Sequence, residues 1–196
     1  MSRLSLTLVC ALGLFAGGCD RAGGEQAQES STEPAAVAPG KVDRSNAGAM
    51  LPAVNLLDAQ GQVMNLGTLE STPVLLNLWA TWCAPCVKEM PQLDALAERS
   101  PGGLVVIAAS QDVQGADVVE PFFARTGLRH LQPWLDPQNL LMESLGAETL
   151  PVTVLYDAGG REVWRMTGAF DWTSEEALAL IAEGYVDVPG SGQVGE

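Results

Sequence analysis

Apolar and polar positions from Leu51 onward fall into blocks with strand-like or helix-like spacing. Two short apolar stretches, 54–57 and 63–66, flank the turn-forming quartet Asp58-Ala59-Gln60-Gly61 and predict a small hairpin. Residues 73–79 are almost continuously apolar, as expected of a strand buried on both faces. The pattern then predicts a helix over 84–99, kinked at Pro91 and ended by Ser100-Pro101-Gly102-Gly103. A second buried strand is expected over 104–109. Helices are expected over 115–126 and 137–145, the latter closed by Gly146. Residues 152–156 read as a strand that Asp157-Ala158-Gly159-Gly160 turns into another over 162–166. Thr173-Ser174-Glu175-Glu176 is a capping box opening a final helix that runs to about Gly184. Strand–helix–strand alternation followed by a hairpin and a terminal helix predicts an α/β domain over 50–188, with a mixed sheet flanked by helices.

The first 49 residues follow a different logic. Met1-Ser2-Arg3 supplies a short positive start, and the apolar run over 4–16 ends in small residues, the layout of a secretory signal peptide over 1–18. That run falls short of the roughly 20 apolar residues a membrane span needs. Gly17-Gly18-Cys19 resembles a bacterial lipobox, in which the cysteine receives diacylglycerol and becomes the mature N-terminus. Ala16 stands where the usual lipobox has leucine, and ordinary cleavage after Gly18 is the alternative. With Cys19 lipidated, Asp20 would be second in the mature chain, which resembles the signal that retains lipoproteins on the inner membrane. Residues 19–49 are rich in Gly, Ala, Glu, Gln, Ser and Pro, a composition expected to form a flexible tether. About 30 such residues reach on the order of 30 Å. Residues 189–196 are expected to form a disordered tail.

Composition and charge narrow the function. The 196 residues carry a formal net charge of −14, with no basic stripe to offset it, which excludes a nucleic-acid-binding role. A domain of this size buries roughly two-thirds of its unfolded surface and needs no disulfide to hold together. Of the four cysteines, Cys10 lies in the signal segment and Cys19 at its end, so the domain retains only Cys83 and Cys86. A bridge closing so short a loop adds little chain-entropy stabilisation.

Those two cysteines form Trp82-Cys83-Ala84-Pro85-Cys86, directly after a buried strand and at the start of a helix. The attacking species in disulfide exchange is the thiolate, and a helix N-terminus stabilises negative charge. Cys83 is therefore the expected exposed nucleophile, with Cys86 one turn on as resolver. Pro85 is tolerated because first-turn amides lack intrahelical partners. Half a zinc site would need further ligands, and His130 is the only other Cys or His of the domain over 50–188.

The stretch from Asn77 to Pro91, which contains this motif, resembles the signature of TlpA-like and ResA-like thioredoxin-fold proteins. The resemblance extends through Leu150-Pro151-Val152-Thr153, Asp157-Ala158-Gly159-Gly160 and Gly168-Ala169-Phe170-Asp171-Trp172. It implies a thioredoxin-like fold with an N-terminal β-hairpin extension, and no cofactor beyond a redox-active Cys83–Cys86 disulfide. It also implies a membrane-tethered domain on the periplasmic side of the cell envelope. Such a domain reduces disulfides on client proteins, among them apocytochromes c and copper-site assembly proteins, and is recharged by a membrane electron donor of the DsbD or CcdA kind. Pro151 matches the family's cis-proline facing the cysteines, a bond that would turn the Leu150 backbone outward to pair with a client segment. Glu89 matches a glutamate near the active cysteines in ResA-like members. It would serve either as a buried proton carrier for the resolving thiol or as a solvated helix-face acid. Asn77 stands where ordinary thioredoxins carry a buried acid. Trp82 is expected to cover the site beside Cys83, with Trp79 in the core. Two rival functions remain: a thiol oxidant or isomerase on the same fold, and a copper-binding assembly factor similar to Sco proteins. Sco proteins, however, have three residues between their cysteines and a distal histidine, for which His130 would be the candidate.

Overall fold

The computed structural model describes residues 40–69, 71–100 and 102–185. The expected signal segment, Cys19, most of the tether and the C-terminal tail lie outside the described residues. Among the described residues eight strands form one sheet: β1 Lys41–Asp43, β2 Asn55–Leu57, β3 Val63–Asn65, β4 Val74–Trp79, β5 Val105–Ser110, β6 Pro133–Leu135, β7 Val152–Tyr156 and β8 Glu162–Thr167. Among the described residues four α-helices accompany them: α1 Ala84–Arg99, α2 Ala116–Thr126, α3 Leu140–Leu145 and α4 Glu175–Ala182. The strand order is β1-β8-β7-β4-β5-β6-β2-β3. Strand β4 runs parallel to β5 and antiparallel to β7, so the sheet is mixed, as the alternation of elements predicts.

All six residues of β4 are buried, and their alternation divides the core in two. Leu75 and Trp79 face a cluster built from Met90, Leu93 and Leu96 of α1, Phe122 and Phe123 of α2, and Leu180 and Ile181 of α4. Val74, Leu76 and Leu78 face the other cluster, which contains Leu56, Leu66, Leu141 and Leu145. Trp79 meets Phe122 and Phe123 with ring centroids 5.0 and 6.0 Å apart, tying α2 to the end of β4. Helix α1 runs from Ala84 to Arg99 without interruption at Pro91. Across the other core, Arg165 forks onto the buried Glu162 at 2.6 Å and donates to the Leu145 carbonyl, so that carboxylate is charge-paired.

Three sequence expectations need correction, and the hairpin, which forms as expected, has a neighbour the sequence did not show. The tether does not continue to residue 49: Lys41–Asp43 pairs antiparallel with Arg165–Thr167, and Met50 bridges Arg161. Local composition hides this strand, because its stability comes from the open backbone edge of β8 and from Val42, its one large apolar residue, packing on the core. The 55–65 hairpin joins the main sheet through Leu57↔Leu135, using β6, a three-residue strand too short to show a period. Helix α3 starts at Leu140, three residues later than expected. Residues 136–139 instead form a turn in which the buried Asp136 carboxylate accepts the Leu140 and Leu141 amides. The last helix is capped by Ser174, whose hydroxyl accepts the Ala177 amide, so the Thr173/Glu176 box does not form.

Candidate active site

The chain leaves β4 at Trp79 and turns directly into α1. The Cys83 amide donates to the Ala80 carbonyl at 3.1 Å, which closes the turn. Cys83 is the N-cap of α1, with extended φ/ψ of −86° and 97°, and Ala84 and Pro85 fill the first helical positions. Its Sγ accepts the Cys86 amide at 3.3 Å. An N-cap sulfur placed this way receives both an orphan amide of the first turn and the positive end of the helix dipole, each favouring a thiolate. Cys83 and Cys86 form a disulfide, with Cα atoms 5.3 Å apart. In this oxidised form Cys83 is only 5% exposed and Cys86 1%, so the expected nucleophile is the more accessible sulfur without being openly exposed. Trp82 stands at the surface, 70% exposed, whereas Trp79 is fully buried, as expected.

A residue not singled out in the sequence holds this loop from beside it. The buried Asp112 follows β5 and accepts the Thr81 amide at 2.8 Å, the Thr81 hydroxyl at 2.7 Å and the Ser110 hydroxyl at 2.8 Å. It clamps the residue just before Trp82 to the end of the neighbouring strand. The available signal was the polar triplet Ser110-Gln111-Asp112 closing an apolar strand, a pattern that reads equally well as an ordinary strand end.

The Leu150–Pro151 bond is cis. Pro151 is buried, and its carbonyl accepts the Gly168 amide at 2.9 Å. Leu150 packs against the cluster that contains both cysteines. The segment after β8 is pinned to α1: Phe170 donates its amide to Glu89 Oε1, and Trp172 donates its amide to Gln92 Oε1 at 2.9 Å. Phe170 and Trp172 meet edge to face, with centroids 5.3 Å apart.

Glu89 is 3% exposed and lies one helical turn beyond Cys86, so the solvated helix-face reading fails. Burial pushes its carboxyl up to about 7, and the Phe170 amide opposes that rise. Asn77 is buried beside it, donating its side-chain amide to Thr153 Oγ1 at 2.9 Å. His130 is an exposed residue whose Nε2 lies 3.6 Å from Glu98, on a loop whose 129–131 amides all bond to Asp94. Among the described residues, no group of three or more His, Cys, Asp or Glu side chains is disposed to hold a metal ion. No helix of the described residues is long and apolar enough to cross a membrane.

Because the folded-state carboxyl binds its proton more tightly than an unfolded glutamate, Glu89 contributes stability that is complete below about pH 4.5. That contribution is lost as the pH rises through about 7. Glu89→Gln is expected to flatten the decline in urea midpoint of the disulfide form between pH 5 and pH 8. Parallel slopes in the two proteins would contradict the burial argument.

Comparison with known proteins agrees with this geometry. The Redoxin family model matches residues 46–181. The ResA thiol-disulfide oxidoreductase of Halalkalibacterium halodurans is 34% identical over 144 residues, covering 71% of this chain and 80% of that protein. Its Bacillus subtilis counterpart is 28% identical over 163 residues, covering 83% and 80%. In fold, the chain is similar to the crystal structure of StoA from Bacillus subtilis, with a TM-score of 0.55, 22% identity, and coverage of 68% of this chain and all of that one. A thioredoxin-like sheet that brings a buried dithiol to a helix N-terminus, and relatives of this similarity, lead to one conclusion: the chain belongs to the Redoxin family and is a thiol-disulfide oxidoreductase of the ResA-like kind.

Proposed function

We propose that this oxidoreductase works as a tethered reductant of disulfides in extracytoplasmic client proteins, with apocytochromes c and copper-site assembly proteins as the client classes. The supporting observation is the N-cap thiol of Cys83, backed by a short apolar Ala84-Pro85 spacer and a buried resolver. Alanine–proline between the cysteines resembles thioredoxin's glycine–proline more than the polar spacers of strong oxidants.

In the dithiol form the Cys83 thiolate attacks one sulfur of a client disulfide. The client S–S bond breaks, the second client sulfur leaves as a thiolate, and a Cys83–client mixed disulfide remains. Cys86 gives up its proton, its thiolate attacks Cys83 Sγ, and the first client sulfur leaves in turn. The client gains two electrons and, in all, two protons, while the protein becomes the disulfide seen here. The buried Glu89, one turn away, is the proton carrier for Cys86. The Leu150 backbone, before the cis-proline, is the docking edge for an extended client segment, a strand-addition mode of binding, and Trp82 and Pro85 flank it. A reductant in an oxidising compartment must be recharged, so a membrane electron donor is its second partner. Cys19, lipid-modified, is the proposed anchor on the inner membrane, and the residues between it and Gly40 give the domain its reach.

Each part of this reading has its own measurement. Cys19→Ser should release the protein from the membrane fraction, and the native protein's intact mass should include diacylglycerol; an unmodified mass would remove the anchor. Equilibration with glutathione buffers should give a potential below about −200 mV, whereas a value near −120 mV, that of a strong oxidant, would reverse the direction of electron flow. On non-reducing gels Cys83→Ser should capture no client, while Cys86→Ser should accumulate covalent complexes that dissolve in reductant. Equal capture by both variants would mean that nucleophile and resolver have been wrongly assigned.

A further inference from the structure

The disulfide fixes Cys83 to α1 only while it is closed. Once it opens, the place of Cys83 depends on the loop that carries it and on the first turn of the helix. Within the turn, the Cys83 carbonyl accepts the Val87 amide at 3.0 Å and its Sγ accepts the Cys86 amide at 3.3 Å. Both bonds hold only while the loop delivers Cys83 to the N-cap. In that loop Ala80 is buried, Trp82 is 70% exposed, and Thr81 alone reaches a neighbouring element through side-chain hydrogen bonds. Its partner is Asp112, 1% exposed, whose Oδ2 accepts the Thr81 amide and whose Oδ1 accepts the Thr81 hydroxyl.

Asp112 is itself fixed to the end of the sheet. Its amide donates to Ser110 Oγ at 3.1 Å, and the Ser110 hydroxyl donates back to Oδ2 at 2.8 Å. The Gln111 amide donates to the Trp79 carbonyl at 2.8 Å, so the residue before Asp112 is bonded to the last residue of β4. The clamp therefore refers Thr81, two residues before Cys83, to the rigid ends of β4 and β5. A buried carboxylate is costly unless its oxygens are paired, and three donors pair this one.

We infer that Asp112 is a positioning residue for the exchange reaction: acting through Thr81, it keeps Cys83 at the N-cap of α1 when the disulfide is open. The consequence is chemical, because the thiolate is stabilised only where the first-turn amide and the helix dipole meet its sulfur. A loop that strays leaves a more basic and less nucleophilic thiol. Besides Asp112, the elements that frame Cys83 carry Cys86, Lys88 and Glu89 on α1, Glu148 before the cis-proline and Asp171 after β8. Among the described residues, no other acidic or basic side chain is hydrogen-bonded to residues 80–83.

The inference rests on Cys83 as the nucleophile, but its test needs no client, so it can fail while the capture experiment succeeds. The full chain is used in a Cys86→Ser background, where no bridge to Cys86 can close. The rate at which the Cys83 thiolate displaces iodide from iodoacetamide is followed against pH, by mass spectrometry of the peptide that carries it. Asp112→Ala removes every bond of the clamp and should raise the midpoint by about one pH unit, a tenfold loss of thiolate below it. Asp112→Asn can keep the clamp: its oxygen serves the Thr81 amide, and its NH2 donates to the Thr81 hydroxyl, which accepts as readily as it donates. It should hold the midpoint close to that of the background protein. Thr81→Val should raise the midpoint by less than Asp112→Ala, and Thr81→Ser should restore it. If the buried alanine variant does not fold, this partly buried pair decides. An unmoved midpoint in Asp112→Ala or, failing that variant, in Thr81→Val overturns the inference. A midpoint that falls in both Asp112 variants also overturns it, because the carboxylate would then act on the thiolate as a charge and not as a clamp.

Discussion

Packed on both faces and hydrogen-bonded along both edges, β4 cannot slide or rotate without undoing both cores at once. Its register is set on one side by Asn77↔Ala108 and on the other by Asn77↔Thr153. A one-residue slip would send Leu75 and Trp79 to the wrong face, together with every other side chain of the strand. The end of β4 is therefore a fixed point, and the dithiol is suspended from it by only three residues. The neighbouring strands bring their own loops to the same end. Parallel β5 finishes beside Trp79 at Ser110 and leads to Asp112, and antiparallel β7 begins beside Leu78 at Val152, one residue after the cis-proline. Sheet topology, more than any one side chain, assembles the site.

Electrostatics then divides the labour between the two sulfurs and the buried acid. Cys83, at the N-cap, takes the stabilisation that a helix terminus offers to negative charge. Cys86, almost fully buried one turn on, is the sulfur proposed to attack only after a client is attached. A buried resolver needs a route for its proton. Glu89, pushed up to about 7 by burial, is the group proposed to take that proton. The same carboxyl accepts the Phe170 amide, two residues after Gly168, whose own amide donates to the cis-proline carbonyl, so one short segment links α1 to Pro151.

Much of this was legible in the chain itself, because it is local. The apolar run of β4, the extent of α1 from Ala84 to Arg99, the β7–β8 hairpin and the Cys83–Cys86 pair at a helix start each depend on neighbours within a few residues. Other features were hidden because their cause lies elsewhere in the chain. Strand β1 exists because β8 offers an open edge, and β6 because β5 and β2 border it. The choice of Ser174 over Thr173 as a cap depends on where packing lets α4 begin. Asp112 is indistinguishable from a surface aspartate until Thr81 is placed against it.

The sequence by itself determined the chemistry: two thiols at a spacing one helical turn can bridge, an acid three residues on, and a proline after Leu150. Residue types and short-range spacing decide what a group can donate, accept or attack. Only the tertiary structure decided which of these groups meet, and in what medium. Glu89 differs from a solvated helix glutamate only through burial against Asn77 and Trp172, residues 12 positions before it and 83 after it. A carboxyl's proton affinity is set by the dielectric and the dipoles around it, and those come from chain segments that pattern alone cannot bring together.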